Sequence, residues 1–251
     1  MLSSYALERI VLKELNLMVC PHDTARNPEG WHRLVQYITS RLDTQIHFSC
    51  ASDFAEFRQG ITSADLVYGN PIDSLGLLDK HGFCALAHPA HSYDEAVLIT
   101  GPDGNLPAIE AIHGAAVSTV TSLLPARLAL KMLRERGVTP ASLIHRDSWL
   151  SVMRSVWNGE VPFGIIYRDA YDEISPQGRE MVRVLATTND HVAFHMFCAR
   201  PSLCVSLSMF TDVLNTMNAD VEGKTVLAGL HIRGWLPVTS DSLARLRALL
   251  A

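Results

Sequence analysis

Phe57-Arg58-Gln59-Gly60 leads through Ala64-Asp65-Leu66-Val67 to Tyr68, and Val156-Trp157-Asn158-Gly159 leads through Phe163-Gly164-Ile165-Ile166 to Tyr167, with the same spacing from glycine to tyrosine. In each stretch a helix-like run closes on glycine, which suits the left-handed turn after a helix. The apolar run that follows reads as a buried parallel strand. Each stretch is thus the α-to-β half of a βαβ unit, and two in matching positions point to two similar α/β lobes. Ligands of open α/β sheets bind beyond the carboxyl ends of the strands, where Tyr68 and Tyr167 fall. The cleft between the lobes is therefore the expected site.

Composition narrows the function. The chain has 251 residues, 48% hydrophobic and 19% charged, enough for one large core or two modest ones. A net charge of −5 gives no broad attraction for nucleic acid, which is excluded as a partner. No segment approaches the ~20 unbroken apolar residues that span a bilayer, so direct membrane insertion is not expected. Residues 1–14 carry Glu8, Arg9, Lys13 and Glu14 among short apolar steps and do not read as a secretory leader, which points to a cytoplasmic setting, or to a periplasmic one if a leader has been removed. The odd set Cys20, Cys50, Cys84, Cys198 and Cys204 reads as thiols in a reducing compartment, not a disulfide framework.

Along the chain, Leu15 to Cys20 predicts a strand, and Asn27-Pro28-Glu29 opens an amphipathic helix with Trp31, Leu34, Val35 and Ile38 on one face. Strands are expected at 44–51, 64–68, 83–88 and 96–100. Asp53 or Ser52 caps a short helix, and Asn70-Pro71 opens another that Gly82 ends. Gly101-Pro102-Asp103-Gly104-Asn105 is the strongest turn signal and divides the halves. Beyond it, strands are expected at 115–119, 143–145, 163–167, 180–187 and 192–198, and helices at 122–136, 148–157, 202–217 and 240–250. This gives one lobe of residues 1–100 and 191–251 and a second of residues 101–190, with the paired crossovers as a hinge.

The run Phe57 to Pro71, FRQGITSADLVYGNP, resembles the strand and loop of the phosphate/phosphonate-binding family of type 2 periplasmic-binding proteins. Val117-Ser118-Thr119-Val120-Thr121 with Pro125 is similar to that family's Ser-Thr-Ser-Gly anion loop, and Ser148 to Tyr167 to its next helix and strand. The resemblance implies an α/β, two-lobed type 2 periplasmic-binding-protein fold, mixed sheets flanked by helices, and a role in binding solutes. It also shows departures. Val120 and Thr121 replace the loop's second serine and glycine, Trp149 stands where a ligand histidine is usual, Tyr167 replaces a strand-end carboxylate, and Ser74 a tyrosine. A phosphonate needs several aligned donors, because a buried dianion without them is heavily penalised. The expected ligand is therefore a small organic anion or heterocycle, contacted by His22, Asp23, Tyr68, Asn70, Ser118, Thr119, Thr121, Trp149, Tyr167 and Arg168. In this reading Ser118 and Thr119 sit at a helix N-terminus that takes a carboxylate or one phosphate.

No cofactor is expected. Cys84, His88 and His91, and likewise His191, His195 and Cys198, are close in sequence and could in principle ligate zinc, but on a strand Cys198 points away from His191 and His195, themselves about two pleat repeats apart, and no metal is assigned to either set. No nucleophile elbow, phosphate-binding Gly-Lys-Ser/Thr loop or dinucleotide fingerprint occurs. The expected partners are a small-molecule ligand and an ABC transporter or signalling protein that reads its binding. An enzyme of the futalosine type on the same fold, acting on a nucleoside-like compound through His22, Asp23 or Asp169, is the alternative. A substrate-binding component of a phosphonate transporter and the effector domain of a transcription regulator are further ones.

Overall fold

The computed structural model describes residues 14–42, 44–103, 107–204 and 207–250. The N-terminal stretch read for a leader, save Glu14, and Gly104-Asn105 of the dividing turn lie outside them. In chain order the elements begin with β1 (Glu14–Val19), α1 (Pro21–Arg26), α2 (Pro28–Leu42), β2 (Gln45–Cys50), α3 (Phe54–Gly60), β3 (Leu66–Gly69), α4 (Pro71–His81) and β4 (Cys84–Pro89). They continue with β5 (Ala96–Thr100), β6 (Ala116–Thr119), α5 (Leu124–Glu135), β7 (Ser142–His145), α6 (Trp149–Trp157), β8 (Phe163–Tyr167), α7 (Arg168–Asp172), α8 (Pro176–Arg179) and β9 (Arg183–Thr187). The chain closes with β10 (Met196–Ala199), α9 (Ser208–Thr216), α10 (Val221–Gly229), β11 (Trp235–Pro237) and α11 (Ser240–Leu250).

Two compact units result. Unit one runs to Ser92 and resumes from Phe194 to Ala244, and unit two comprises Tyr93–Ala193 and Arg245–Ala251. The chain therefore passes between units a few residues before β5 and just before β10. The sequence reading placed residues 96–100 and the whole C-terminal helix in the first lobe. Instead β5 pairs antiparallel with β8 and β9, and residues from Arg245 group with unit two. The turn at residue 101 follows β5 and does not divide the units.

The sheet of unit one has the order β11-β4-β10-β3-β1-β2, and that of unit two β7-β6-β8-β5-β9. In the first, β1 lies parallel to β2 and β3, while β10 lies antiparallel to β3 and β4. In the second, β6 lies parallel to β7 and β8, while β5 lies antiparallel to β8 and β9. Apart from the edge strand β11 the two sheets share one plan, with β3 matching β8 and β10 matching β5. The paired spacing in the sequence reflects this repetition, but its two glycines act differently. Gly159 follows α6 in the left-handed region at φ 71°, as a helix-ending glycine does. Gly60 is instead the last residue of α3, where it sits against the end of the Met18 side chain.

Local chemistry accounts for the helices around these sheets. In α2, Trp31, Leu34, Val35 and Ile38 fall at helical spacing and are buried against Leu15, Leu17, Tyr68 and Phe197. The side chain of Asn70 accepts from the N–H groups of Ile72 and Asp73 at 3.0 Å, Pro71 takes the first position of α4, and Gly82 ends it at φ 68°. In unit two β8 is buried along its whole length, and α6 lays Val152, Met153 and Val156 against it. That approach requires Gly164, where a Cβ would lie 2.9 Å from Val152 and 3.0 Å from Ile99 and Val156. The helix expected at 202–217 is broken, with α9 beginning only at Ser208, and α10 was not foreseen because glycines at 223 and 229 dilute its pattern.

Cys84 and Cys204 form a disulfide with a Cα–Cα separation of 5.9 Å across 120 residues of sequence. This corrects the reading of all five cysteines as thiols. The two meet because β10 returns beside β4, with Ala199 opposite Cys84, and the turn after β10 carries Cys204 to the same edge. Cys20, Cys50 and Cys198 are free.

Two stability effects are expected. Gly164→Ala should cost roughly 1–3 kcal/mol in urea unfolding, from overpacking between α6 and β8. Cys204→Ser should lower the unfolding free energy by about 2–4 kcal/mol, and a reductant should lower that of the parent equally while leaving the variant unchanged.

Candidate functional site

At the carboxyl edge of the unit-one sheet, β1 ends and Cys20-Pro21 turns directly into α1. The Cys20 N–H donates to the carbonyl of Tyr68 at 2.8 Å, which ties the ends of β1 and β3 together. One turn on, a carboxylate oxygen of Asp23 lies 2.8 Å from Nδ1 of His195, the residue before β10. These side chains are 20% and 12% exposed, whereas Cys20 is fully buried. Donor atoms of Cys20, Asp23 and His195 all lie within 4.8 Å of one another. Burial pushes the Cys20 thiol up to about 11, His195 opposing that shift and Asp23 adding to it. A thiol beside a carboxylate–imidazole pair has the parts of a nucleophilic centre, but one held protonated by burial is a poor nucleophile.

His22 is half-buried in α1. Tyr68 is 3% exposed and packs within the core, its ring 4.6 Å from Trp31, 5.0 Å from Phe197, 5.8 Å from His195 and 6.0 Å from Trp235. It therefore supports the edge from inside and does not present the open flat face expected of it. Asn70 caps α4 and donates to Asp73 at 2.6 Å, and Asp73 in turn receives Arg58 at 2.8 Å.

In unit two, the corresponding edge is acidic. The hydroxyl of Tyr167, at the end of β8, donates to Asp94 at 2.8 Å and lies 3.3 Å from Asp169. Asp94 is buried. Glu95, also buried, accepts from the Thr188 hydroxyl and, at 2.9 Å, from the N–H of His191, a residue held at φ 51°. Arg168 is exposed and lies 3.8 Å from Asp172.

Ser118 and Thr119 differ from expectation. They belong to β6, and α5 begins only at Leu124, so neither sits at a helix N-terminus. Both are fully buried: the Ser118 and Ser155 hydroxyls are 3.0 Å apart, and Thr119 donates to the carbonyl of Ile165 at 3.0 Å. Their hydroxyls bind β6 to its neighbours α6 and β8. Thr121 does reach the surface, its hydroxyl 3.0 Å from Nδ1 of His145. Trp149 opens α6, capped by the Ser148 hydroxyl on the N–H of Ser151, and is half-buried.

Neither Cys/His set noted in the sequence forms a cluster among the described residues. Cys84 is in the disulfide, and His195 joins Cys20 and Asp23 instead. His88 is buried against Phe194, which lowers its pKa, and its Nδ1 lies 3.0 Å from the Pro89 carbonyl. Sequence reasoning missed the roles of Cys20, Asp94, Glu95 and His195. The one available signal was that Asp94-Glu95 and His195 immediately precede apolar runs.

Alkylation in the native state near pH 8, just below the ordinary thiol pKa of about 8.5, should modify Cys50 and spare Cys20 and Cys198, the latter pushed up to about 12 by burial. Mass mapping after unfolding should then show all three. Because the folded pKa of Cys20 is raised, its contribution to stability is present below 9.0 and lost as pH rises through about 11. Unfolding free energy should fall over that window, and less so in Cys20→Ser.

A family model described as "ABC transporter, phosphonate, periplasmic substrate-binding protein" matches residues 17–243. None of the curated protein sequences matches significantly. Among solved structures, a Xanthomonas citri protein bound to chloride ion superposes with a TM-score of 0.74 at 17% identity, over 94% of this chain and 95% of that one. A Prochlorococcus marinus protein in complex with methylphosphonate gives 0.73 at 11% identity, over 94% and 97%. The binding component of a phosphonate ABC transporter from Pseudomonas aeruginosa gives 0.71 at 14% identity, over 95% and 86%. The architecture is thus that of type 2 periplasmic-binding proteins.

Proposed function

Because the chain belongs to the family of periplasmic substrate-binding proteins of phosphonate ABC transporters, we propose that it captures a small organic anion or heterocycle other than a phosphonate and delivers it to such a transporter. The state of Ser118 and Thr119 carries this reading. Both hydroxyls lie fully buried, within hydrogen-bond reach of Ser155 and of the Ile165 carbonyl, so the loop that the resemblance assigns to a phosphonate offers few donors to a dianion. The carboxylates of Asp94 and Asp169 around the Tyr167 hydroxyl add negative potential at that edge, which disfavours a dianion further.

Ligand contacts are assigned to His22, Asp23 and Asn70 at the edge of unit one, and to Thr121, Trp149 and Arg168 at that of unit two. Tyr68, Ser118, Thr119 and Tyr167 shape these edges from within. The aromatic face of Trp149 suits a planar or apolar body, and Arg168 an anionic end. The enzymatic alternative is less well supported, because burial holds the Cys20 thiol beside the Asp23–His195 pair protonated and Asp169 lies against the Tyr167 hydroxyl. The Cys84–Cys204 disulfide favours an oxidising compartment, and we assign the protein to the periplasm in place of the cytoplasm.

Calorimetric titration of the full chain with methylphosphonate, alkanesulfonates, short carboxylates and purine-like heterocycles tests the assignment. Methylphosphonate should bind weakly or not at all, and one of the other classes should bind. Trp149→Ala and Arg168→Ala should each weaken that ligand at least about tenfold, equivalent to roughly 1.4 kcal/mol. Tight methylphosphonate binding would overturn the choice of ligand class.

A further inference from the structure

We propose that Cys20, Asp23 and His195 form a site for one divalent metal ion of the zinc class, with a fourth position open to an anion. The three donors come from two places in the chain, the β1–α1 junction and the residue before β10, and converge at one sheet edge. Sulfur, imidazole nitrogen and carboxylate oxygen together are a borderline-soft set, which favours zinc or cobalt over the all-oxygen coordination of magnesium and calcium. Around a tetrahedral zinc such donors stand about 3.3–3.7 Å apart. The observed donors all lie within 4.8 Å, and the Asp23–His195 pair at 2.8 Å would open slightly to admit the ion.

The surroundings already hold the donors in place. The Cys20 N–H is fixed on the Tyr68 carbonyl, the His195 ring packs against Tyr68, and the Asn70 amide lies 4.0 Å from the Cys20 sulfur, placed to support a thiolate. Asp23 and His195 retain partial exposure, which gives an ion its route in, while Cys20 forms the floor. Among the described residues no fourth histidine, cysteine or carboxylate joins the group, which is the arrangement of a zinc site that keeps one position for an exchangeable ligand. Binding replaces the thiol proton, which leaves to solvent. A dication with one thiolate and one carboxylate is then neutral, and an anion completes the shell. That the anion is the transported solute rests on the proposed function; the metal site itself does not.

The test uses the full chain, freed of metal by a chelator and kept without reductant so that the disulfide stays intact. Titration with cobalt(II) should give one equivalent bound and a sulfur-to-cobalt charge-transfer band that zinc abolishes. The band should vanish in Cys20→Ser and persist in Cys50→Ser, and His195→Ala should bind cobalt at least tenfold more weakly. No charge-transfer band in the parent at saturating cobalt, or a band that survives Cys20→Ser and disappears in Cys50→Ser, would overturn the site. Should Cys20→Ser fail to fold by circular dichroism, the parent spectrum and Asp23→Asn decide. Titrations with short carboxylates and alkanesulfonates, with and without zinc, address the open position: at least tenfold tighter binding with zinc supports it, and equal binding removes it. An intact cobalt band with no solute bound in either case would sink the solute-binding reading and leave the metal site standing.

Discussion

The insertion of β10 between β3 and β4 is the pairing on which the rest of unit one depends. Its antiparallel register sets Phe197 opposite Tyr68 and Ala199 opposite Cys84. Phe197 thereby enters the aromatic cluster with Trp31, Phe210 and Trp235, which fastens the helices on that face to the sheet. The residue just before the strand, His195, is delivered to the ends of β1 and β3, where Asp23 and Cys20 await it. The turn just after the strand delivers Cys204 to Cys84. One strand thus supplies the core, the crosslink and the polar cluster, and its ladder hydrogen bonds fix all three at once.

β5 does the same in unit two with different chemistry. Ala96 pairs with Tyr167, so the two residues before the strand, Asp94 and Glu95, arrive at the carboxyl end of β8. Asp94 receives the Tyr167 hydroxyl, and Glu95 collects donors from Thr188 and His191 after β9. Buried carboxylates are tolerated because each is met by hydrogen-bond donors. A shared strand order has therefore produced two edges of unlike character, one with a thiol and a histidine–carboxylate pair, the other acidic and closed on a tyrosine.

Much of the backbone was legible. Apolar runs at 163–167 and 96–100, the Asn70-Pro71 cap with Gly82, and the Ser148 cap of α6 follow local rules that act within a few residues, and the structure has each of them. The repeated glycine-to-tyrosine spacing also pointed to two similar units. Less legible were short elements with little periodicity, such as α1 and β11, and the ends of the units, because pairing across the sheet decides which strand belongs where.

By itself the sequence determined the type and order of most elements and the duplicated α/β plan, since these rest on hydrophobic period and caps. Only the tertiary structure decided which side chains share a site. Tyr68 turned inward, Ser118 and Thr119 became strand residues engaged within their own unit, Cys84 found Cys204 across 120 residues, and His195 met Asp23. Those outcomes depend on strand register and on the return of β10, long-range pairings that leave no mark at any one position in the chain.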